Sequence, residues 1–365
     1  MTVTQTPAVE LDEASVGAFA EGIFGAALGT LDLTIAYIGR KVGLYEALRG
    51  HPSTSSELAA AAGADERYVR EWLEHQAVSG TVTVDDTSAP AEARRFALPE
   101  EHAVVLLDQE HPAYSGALAD MLGPVTLTLD LVIDAFRTGE GVPYAAYDLH
   151  DMQAGFTRPM FANSLVSEWI PALADVHDRL EAGEPLRIAD FGCGVGWAAI
   201  YLAEAYPNAI VHGYDLDDSS IAEARKQAAD RGVADRVRFE VQDVTDPSFG
   251  ERYDLVFATE VIHDLADPVG ALSAMRRLAG DGGAVLIVDE HAAEAFDVPG
   301  DEIERLLYGF SILHCLPAGR THEHSAATGT VMRPSTLEAY ASRAGFGSTE
   351  VLTIDNPMFR FYRLR

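Results

Sequence analysis

A chain of 365 residues, 48% of them hydrophobic, carries enough apolar material for two packed cores, which excludes a mainly disordered protein and favours two domains or one large one. Its 57 acidic side chains against 26 basic ones give a formal net charge of -31, so a surface made for phosphate backbones or anionic headgroups is not expected, and the charge reads as solvation. Two cysteines, Cys193 and Cys315, are too few for a disulfide framework and fit a reducing cytoplasm, while the apolar stretch from Val16 to Ile38 lacks a basic flank and is broken by Glu21, Asp32 and several glycines, so neither a signal peptide nor a membrane span is expected.

After a polar start to about Glu13, residues 14–34 are rich in Ala, Gly, Leu and Phe and read as a helix that wants burial on several sides. A second helix is expected over residues 36–48, with Ile38, Val42 and Tyr45 on one face and Gly50 and Pro52 ending it. Thr54 and Glu57 have capping-box spacing and start a short helix that stops at Gly63; Asp65 can cap the next one, whose apolar face is Val69, Trp72, Leu73 and Ala77. The alternation of Val82 and Val84, then Phe96 and Leu98, predicts a two-stranded wing. This order is that of a winged helix, a module often used on DNA. Its second turn helix carries Arg67 and Arg70 but also Glu66, Glu71 and Glu74, which leaves no positive stripe for a phosphate backbone. Dimerisation and covering of a substrate are therefore the expected roles, and nucleic acid is not an expected partner. Helical patterns continue from about His111 to Arg179 and read as a connector and lid.

From Leu186 the pattern changes. Apolar runs of strand length at 186–191, 210–215, 237–242, 253–258 and 284–288 alternate with helical patterns that begin near Trp197, Ser220 and Pro268. That alternation predicts an α/β fold, a Rossmann-like doubly wound sheet, with a preceding helical winged-helix domain. The expected domains are residues 1–110, a connector over 111–180, and 181–365. Ligands of such sheets bind beyond the carboxyl ends of the strands, where strand order reverses. The first strand runs into Asp190-Phe191-Gly192-Cys193-Gly194-Val195-Gly196, whose glycines let the backbone turn sharply and approach a ligand. Trp197 stands where a dinucleotide fingerprint would place its third glycine, which disfavours an NAD pyrophosphate. S-adenosylmethionine has an adenosine, no phosphate and two positive groups, so an acidic strand end such as Asp190 suits it. Asp215, at the end of the second strand, is placed to accept from both ribose hydroxyls; Asp243, followed by Val244 at the third strand end, could accept from the adenine amino group or simply cap its loop.

Residues 188–196, Asp215, Asp243 and Leu278-Ala279-Gly280-Asp281-Gly282-Gly283 together resemble the class I S-adenosylmethionine-dependent methyltransferases. The likeness covers about Leu186 onward, and residues 349–354 with 359–364 suit the antiparallel hairpin with which that family closes its sheet. With the winged helix included, the chain is similar to dimeric small-molecule methyltransferases of the plant type and an actinobacterial group of the same domain order, which implies a homodimer with interlocking amino-terminal helices.

Methyl transfer is an in-line displacement, so the protein mainly aligns the reactants and excludes water. A base helps when the acceptor is a hydroxyl or an acidic carbon. His263, in Glu260-Val261-Ile262-His263-Asp264 after the fourth strand, titrates near neutrality and is similar to the base in plant-type O-methyltransferases, although Leu265 stands where that family commonly has tryptophan. Glu290 is the candidate to orient it. His291 and His314 could also face the crevice, but no tight metal-ligand spacing is present and no metal is expected; His322 and His324 read as a polar loop. Tyr144, Tyr147, Arg158 and Phe161 are candidate roof residues. The leading expectation is O-methylation of a hydroxylated or phenolic metabolite. C-methylation of an enolisable acid, a cofactor-sensing DNA regulator and a catalytically silent partner subunit are the alternatives.

Overall fold

A computed structural model describes residues 11–365 except 148, 244, 247 and 248; among the expected site residues, Val244 lies outside the described residues. The chain folds as two compact units, one ending at Leu107 and one beginning at Asp108.

In the first unit the two expected amino-terminal helices are one. Helix α1, Glu13–Val42, runs 30 residues from an Asp12 cap to Gly43, which ends it at φ 78°. The short helix α2, Leu44–Leu48, follows directly. Gly39 lets Trp72 seat closely against this helix: a Cβ there would lie 2.4 Å from the Trp72 ring, whose Nε1 donates to Ile35 O at 3.0 Å. The burial expected for residues 14–34 is absent in the single chain, where Phe19, Ile23, Phe24 and Leu31 are all more than half exposed. Helix α3, Ser55–Ala62, has the full capping box, Glu57 N–H to Thr54 Oγ1 and Thr54 N–H to Glu57 Oε2, and ends at Gly63 in the left-handed region. Helix α4, Glu66–Val78, starts from Asp65 and buries Val69, Trp72 and Leu73. Strands β1, Thr83–Val84, and β2, Phe96–Ala97, form the antiparallel wing, and helix α5, Glu100–Leu107, completes the unit. Arg67 pairs with Glu71, and Arg70 with Glu66 and Glu92, so these cations are engaged by neighbouring carboxylates.

The second unit begins with helices α6, Gly116–Asp120; α7, Leu122–Thr138; and α8, His150–Met160. A π-helical stretch, Phe161–Trp169, continues α8, and α9, Ala174–Glu181, leads to the sheet. Strands β3, Arg187–Phe191; β4, Ile210–Asp215; β5, Val237–Val241; β6, Leu255–Thr259; and β7, Ala284–Glu290 are joined by helices α10, Trp197–Ala205; α11, Asp218–Asp230; and α12, Pro268–Ala279. After β7 come α13, Glu302–Phe310, a second π-helical stretch, Ser311–Cys315, and the short α14, Leu316–Gly319. Helix α15, Pro334–Arg343, precedes strands β8, Thr349–Val351, and β9, Phe359–Leu364. The sheet order is β5-β4-β3-β6-β7-β9-β8, parallel through β7 and antiparallel for β9 and β8.

Helices on both faces divide the core into two apolar layers, one around Trp169, Ile200, Leu202 and Phe361, the other around Val256, Leu272, Met275 and Ile287. Strand β7 is buried along its whole length, which explains its unbroken apolar run. The α/β class, the parallel core and the closing hairpin thus follow the expected pattern.

Candidate active site

Strand order reverses between β3 and β6, and there the carboxyl ends of β3, β4, β6 and β7 face a cavity of about 1080 Å³, roofed in part by α8 and by the segments after β7. Pockets for small ligands span roughly 300–1000 Å³, so this one stands at the upper end of that range.

At the β3 end, the amides of Gly192 and Cys193 donate to Tyr214 O, which folds the turn against β4. Gly192, Gly194 and Gly196 have φ values of 70°, 51° and 85°. A Cβ on Gly192 would meet Val261, and one on Gly196 would meet Phe239, each at 2.4 Å; Gly194 faces open space, where backbone can lie directly against a ligand. Asp215 ends β4, and its carboxylate accepts from the amides of Gly194 and Asp217, both at 2.9 Å. Burial raises its pKa. Asp190 is 3% exposed; burial, then the neighbouring Asp215 charge, push its carboxyl up to about 8, and its Oδ2 has no hydrogen-bond partner. Asp243 lines the same cavity but caps its own loop, accepting from Thr245 N at 2.9 Å and Thr245 Oγ1 at 2.6 Å. An open glycine backbone, a carboxylate at the end of β4 and an orphaned buried carboxylate oxygen fit a nucleoside carrying positive charge.

Beyond β6 the chain turns through Glu260, a non-glycine residue at φ 60°, and delivers His263, 2% exposed, to the cavity. Strain of this kind costs on the order of 1–3 kcal/mol and is held by the surrounding structure. His263 Nδ1 lies 2.8 Å from Asp289 Oδ1 and 2.9 Å from Glu290 Oε2; Nε2 lies 3.2 Å from Asp264 Oδ1. Burial alone would lower the imidazole pKa, but the carboxylates of Glu290, Asp289 and Asp264 overcome it and raise it well above the ordinary value. Burial pushes Asp264 up, yet the imidazolium beside it brings it down to about 2, and Asp289 is lowered for the same reason. Glu260 moves the other way, to about 7, because burial dominates, and Glu290 is raised by burial and by Glu260. The cluster therefore holds an imidazolium between Asp264 and Asp289, with the Glu260 and Glu290 carboxyls beside it held less acidic than usual. Donor atoms of His263, Asp289 and Glu290, and of His263, Asp264 and Cys315, come within 4.8 Å of one another. A cation could enter only by taking the imidazole nitrogens that the carboxylates now engage.

A family model described as "Methyltransferase domain" matches residues 189–285, the stretch from β3 to β7 that carries this geometry, and one described as "Rv2258c-like winged HTH domain" matches residues 29–107. Residues 189–285 are a methyltransferase domain, and the chain is an S-adenosylmethionine-dependent methyltransferase. S-adenosylmethionine is its cofactor. The methyltransferase is 28% identical over 206 residues to a ubiquinone biosynthesis O-methyltransferase from Pseudomonas aeruginosa (strain UCBPP-PA14), covering 55% of this chain and 79% of that one. It is 32% identical over 118 residues to a probable chloroplastic tocopherol O-methyltransferase from Oryza sativa subsp. japonica, and covers 32% of that relative's length. Among solved structures, the mitomycin 7-O-methyltransferase MmcR matches with TM-score 0.69 and 21% identity over 97% of this chain and 100% of that one. Human N-acetylserotonin methyltransferase matches with TM-score 0.68 and 16% identity over 99% of each chain. At those identities the structural matches speak for the fold.

Of the residues singled out in the sequence, Asp190, Gly192, Gly194, Gly196, Asp215, Asp243, His263 and Glu290 all line the methyltransferase cavity. Glu290 is the last residue of β7 rather than one just past it. His314 lines the cavity too, whereas His291 is exposed and lies 3.0 Å from Asn356 O. His322 and His324, read as a plain polar loop, are also in the lining. Tyr144 and Phe161 reach it; Tyr147 instead packs edge-on against His314, and Arg158 lies 3.7 Å over the Trp197 ring and pairs with Glu110. Asp289, Glu260 and Cys315 were not foreseen. An acidic pair closing an otherwise apolar strand was the available signal for Asp289, since a carboxylate is not left in a core without a partner.

Proposed function

We propose that this methyltransferase methylates a hydroxyl group of a small molecule, with His263 as general base and Glu290 as a positioning residue. When bound, S-adenosylmethionine supplies a methyl group activated by its sulfonium. Gly192, Gly194 and Gly196 would shape the backbone around it, Asp215 would accept from the ribose hydroxyls, Asp190 would face the amino group, and Asp243 with Val244 would serve the adenine. The observation that carries the reading is His263 itself: a buried imidazole at the switch point, held at Nδ1 by Asp289 with the Glu290 carboxyl beside it, and with Nε2 on the other side of the ring facing Asp264. Loss of the Nε2 proton leaves a base within reach of an acceptor oxygen, which gives up its proton as the new O–C bond forms. Because the carboxylates hold His263 protonated, the rate rises with pH through the imidazole pKa and is greatest above neutrality.

The winged-helix unit and the exposed apolar stripe of α1 support a homodimer, in a cytoplasmic setting. By length and composition α1 and the 116–138 stretch are apolar enough to cross a bilayer, but the winged-helix match beside α1 and the burial of 39% of the second window favour protein partners. The test is His263→Asn assayed by calorimetry and by conversion of S-adenosylmethionine to S-adenosylhomocysteine with a panel of phenols. Retained cofactor affinity with transfer reduced by about 10²–10⁴ supports the base. Undiminished transfer refutes it.

A further inference from the structure

The charge of the cavity wall is one-sided. Among the described residues lining it there are six aspartates and three glutamates, and neither a lysine nor an arginine. Several of these acids have local duties. Asp217 caps α11 through Ser220 N, Asp267 caps α12 through Gly270 N, Asp243 holds Thr245, and Asp190 and Asp215 border the glycine turn. That leaves Glu260, Asp264 and Glu290, which surround His263, and Glu323 elsewhere in the lining.

Glu290 differs from the rest. It is 5% exposed, and its Oε2 has no hydrogen-bond donor even though His263 Nδ1 is 2.9 Å away. The reason is stoichiometric: Nδ1 has one hydrogen, which goes to Asp289 Oδ1 at 2.8 Å. A buried carboxyl oxygen without a donor is costly, and a ligand that brings an N–H to it removes that cost. The same lining is rich in apolar and aromatic side chains. Phe156 and Phe310 meet edge-on with centroids 5.6 Å apart, and Tyr144 packs edge-on against His314 at 5.8 Å. Aromatic rings and buried carboxyl groups in one lining suit a planar ligand that carries positive charge.

Resting on the methyltransferase reading, we infer that the acceptor is an aromatic hydroxyl compound bearing a protonated amine, received by Glu290 and its neighbouring acids, and that carboxylated or phosphorylated acceptors are excluded. An anion would enter a partly desolvated site with no cationic side chain to meet it and several carboxylates to repel it. An ammonium meets an unpartnered carboxyl oxygen and ring faces. The same reasoning removes the enolisable acid as an acceptor, since its carboxylate would have no counter-ion in the wall.

The test uses three catechols that share the reacting ring and differ in side-chain charge: dopamine, 4-ethylcatechol and 3-(3,4-dihydroxyphenyl)propionate. Each is titrated calorimetrically into the full chain saturated with S-adenosylhomocysteine, whose own binding is measured first. Dopamine should bind roughly tenfold more tightly than 4-ethylcatechol, and the propionate more weakly than either, a spread of about 1.4 kcal/mol per decade. Glu290→Gln should collapse the dopamine advantage. Equal binding of all three, tighter binding of the propionate, or binding of S-adenosylhomocysteine with none of the three overturns the amine. Failure of S-adenosylhomocysteine itself to bind overturns the cofactor reading, and the acceptor inference with it.

Discussion

Replacing Asp190 by Asn should make the protein more stable at neutral pH and worse at holding its cofactor. The carboxyl is 3% exposed, and burial followed by the Asp215 charge carries its pKa from 3.8 to about 8. A raised carboxyl pKa means that the folded state binds a proton more tightly than the unfolded chain does. Folding is therefore unpenalised below pH 3.8 and loses stability as pH rises toward 8, by about 1.4 kcal/mol per pH unit. Between pH 4 and pH 7 this amounts to a ceiling of about 4 kcal/mol, reduced by whatever water enters the cavity. Asn has the same shape and no charge to desolvate, but its amide nitrogen would stand where Oδ2 now lacks a partner, a fixed cost of about 1–3 kcal/mol. That cost does not depend on pH, so the difference between variant and wild type isolates the ionisation. Urea denaturation at pH 4, 5.5 and 7 should show Asp190→Asn neutral or destabilised at pH 4 and gaining on wild type at each step. Calorimetry should show S-adenosylmethionine bound at least about tenfold more weakly, because an amide does not offset a cationic amino group. A stability difference that is the same at all three pH values would refute the electrostatic argument, whatever its sign.

Asp289→Asn removes one of the two ionised groups flanking His263, so the imidazole titration followed by NMR of its ring nitrogens should move to lower pH, and the rising limb of the activity profile with it; an upward shift would contradict the cluster's charge assignment. Asp215→Ala should abolish calorimetric binding of S-adenosylmethionine while far-ultraviolet circular dichroism stays unchanged. Gly39→Val places carbon atoms inside the Trp72 ring, breaks the fit of α1 on α4 and should cost about 2 kcal/mol in urea denaturation. Phe19→Glu with Phe24→Glu should halve the mass measured by light scattering if α1 is the dimer face, and an unchanged dimer would place the interface elsewhere.

What the sequence revealed was local or periodic. The Thr54–Glu57 box, the Asp65 cap and the left-handed stop at Gly63 depend on contacts within four residues, and the alternation of apolar runs with helices determined the parallel core and its switch point. What it hid depends on distant partners. The Trp72 ring fills the space beside Gly39 of α1, a meeting across 33 residues that no window of periodicity contains. The π-helical stretches at Phe161–Trp169 and Ser311–Cys315 have no sequence signature, yet the second one brings His314 and Cys315 to the cavity wall. His263 could be found from its place after a strand, but its charge state could not, because that is set by Asp289 and Glu290 on a different strand.

The insertion of β9 beside β7 bears on how the protein is made. In the finished sheet β7 is paired on both sides, from Val285 opposite Leu364 to Glu290 opposite Phe359. On the ribosome its second partner does not exist until 69 further residues have been added, roughly 3–14 s at ordinary rates of synthesis. For that interval the run Ala284-Val285-Leu286-Ile287-Val288 presents a flat, uncharged hydrogen-bonding edge, the kind of segment that pairs with copies of itself. Yield of soluble protein should therefore depend on how quickly the segment between β7 and β9 is translated, and on whether a chaperone shields that edge meanwhile. The strand that carries Asp289 and Glu290 thus has an open edge before it has a site to serve.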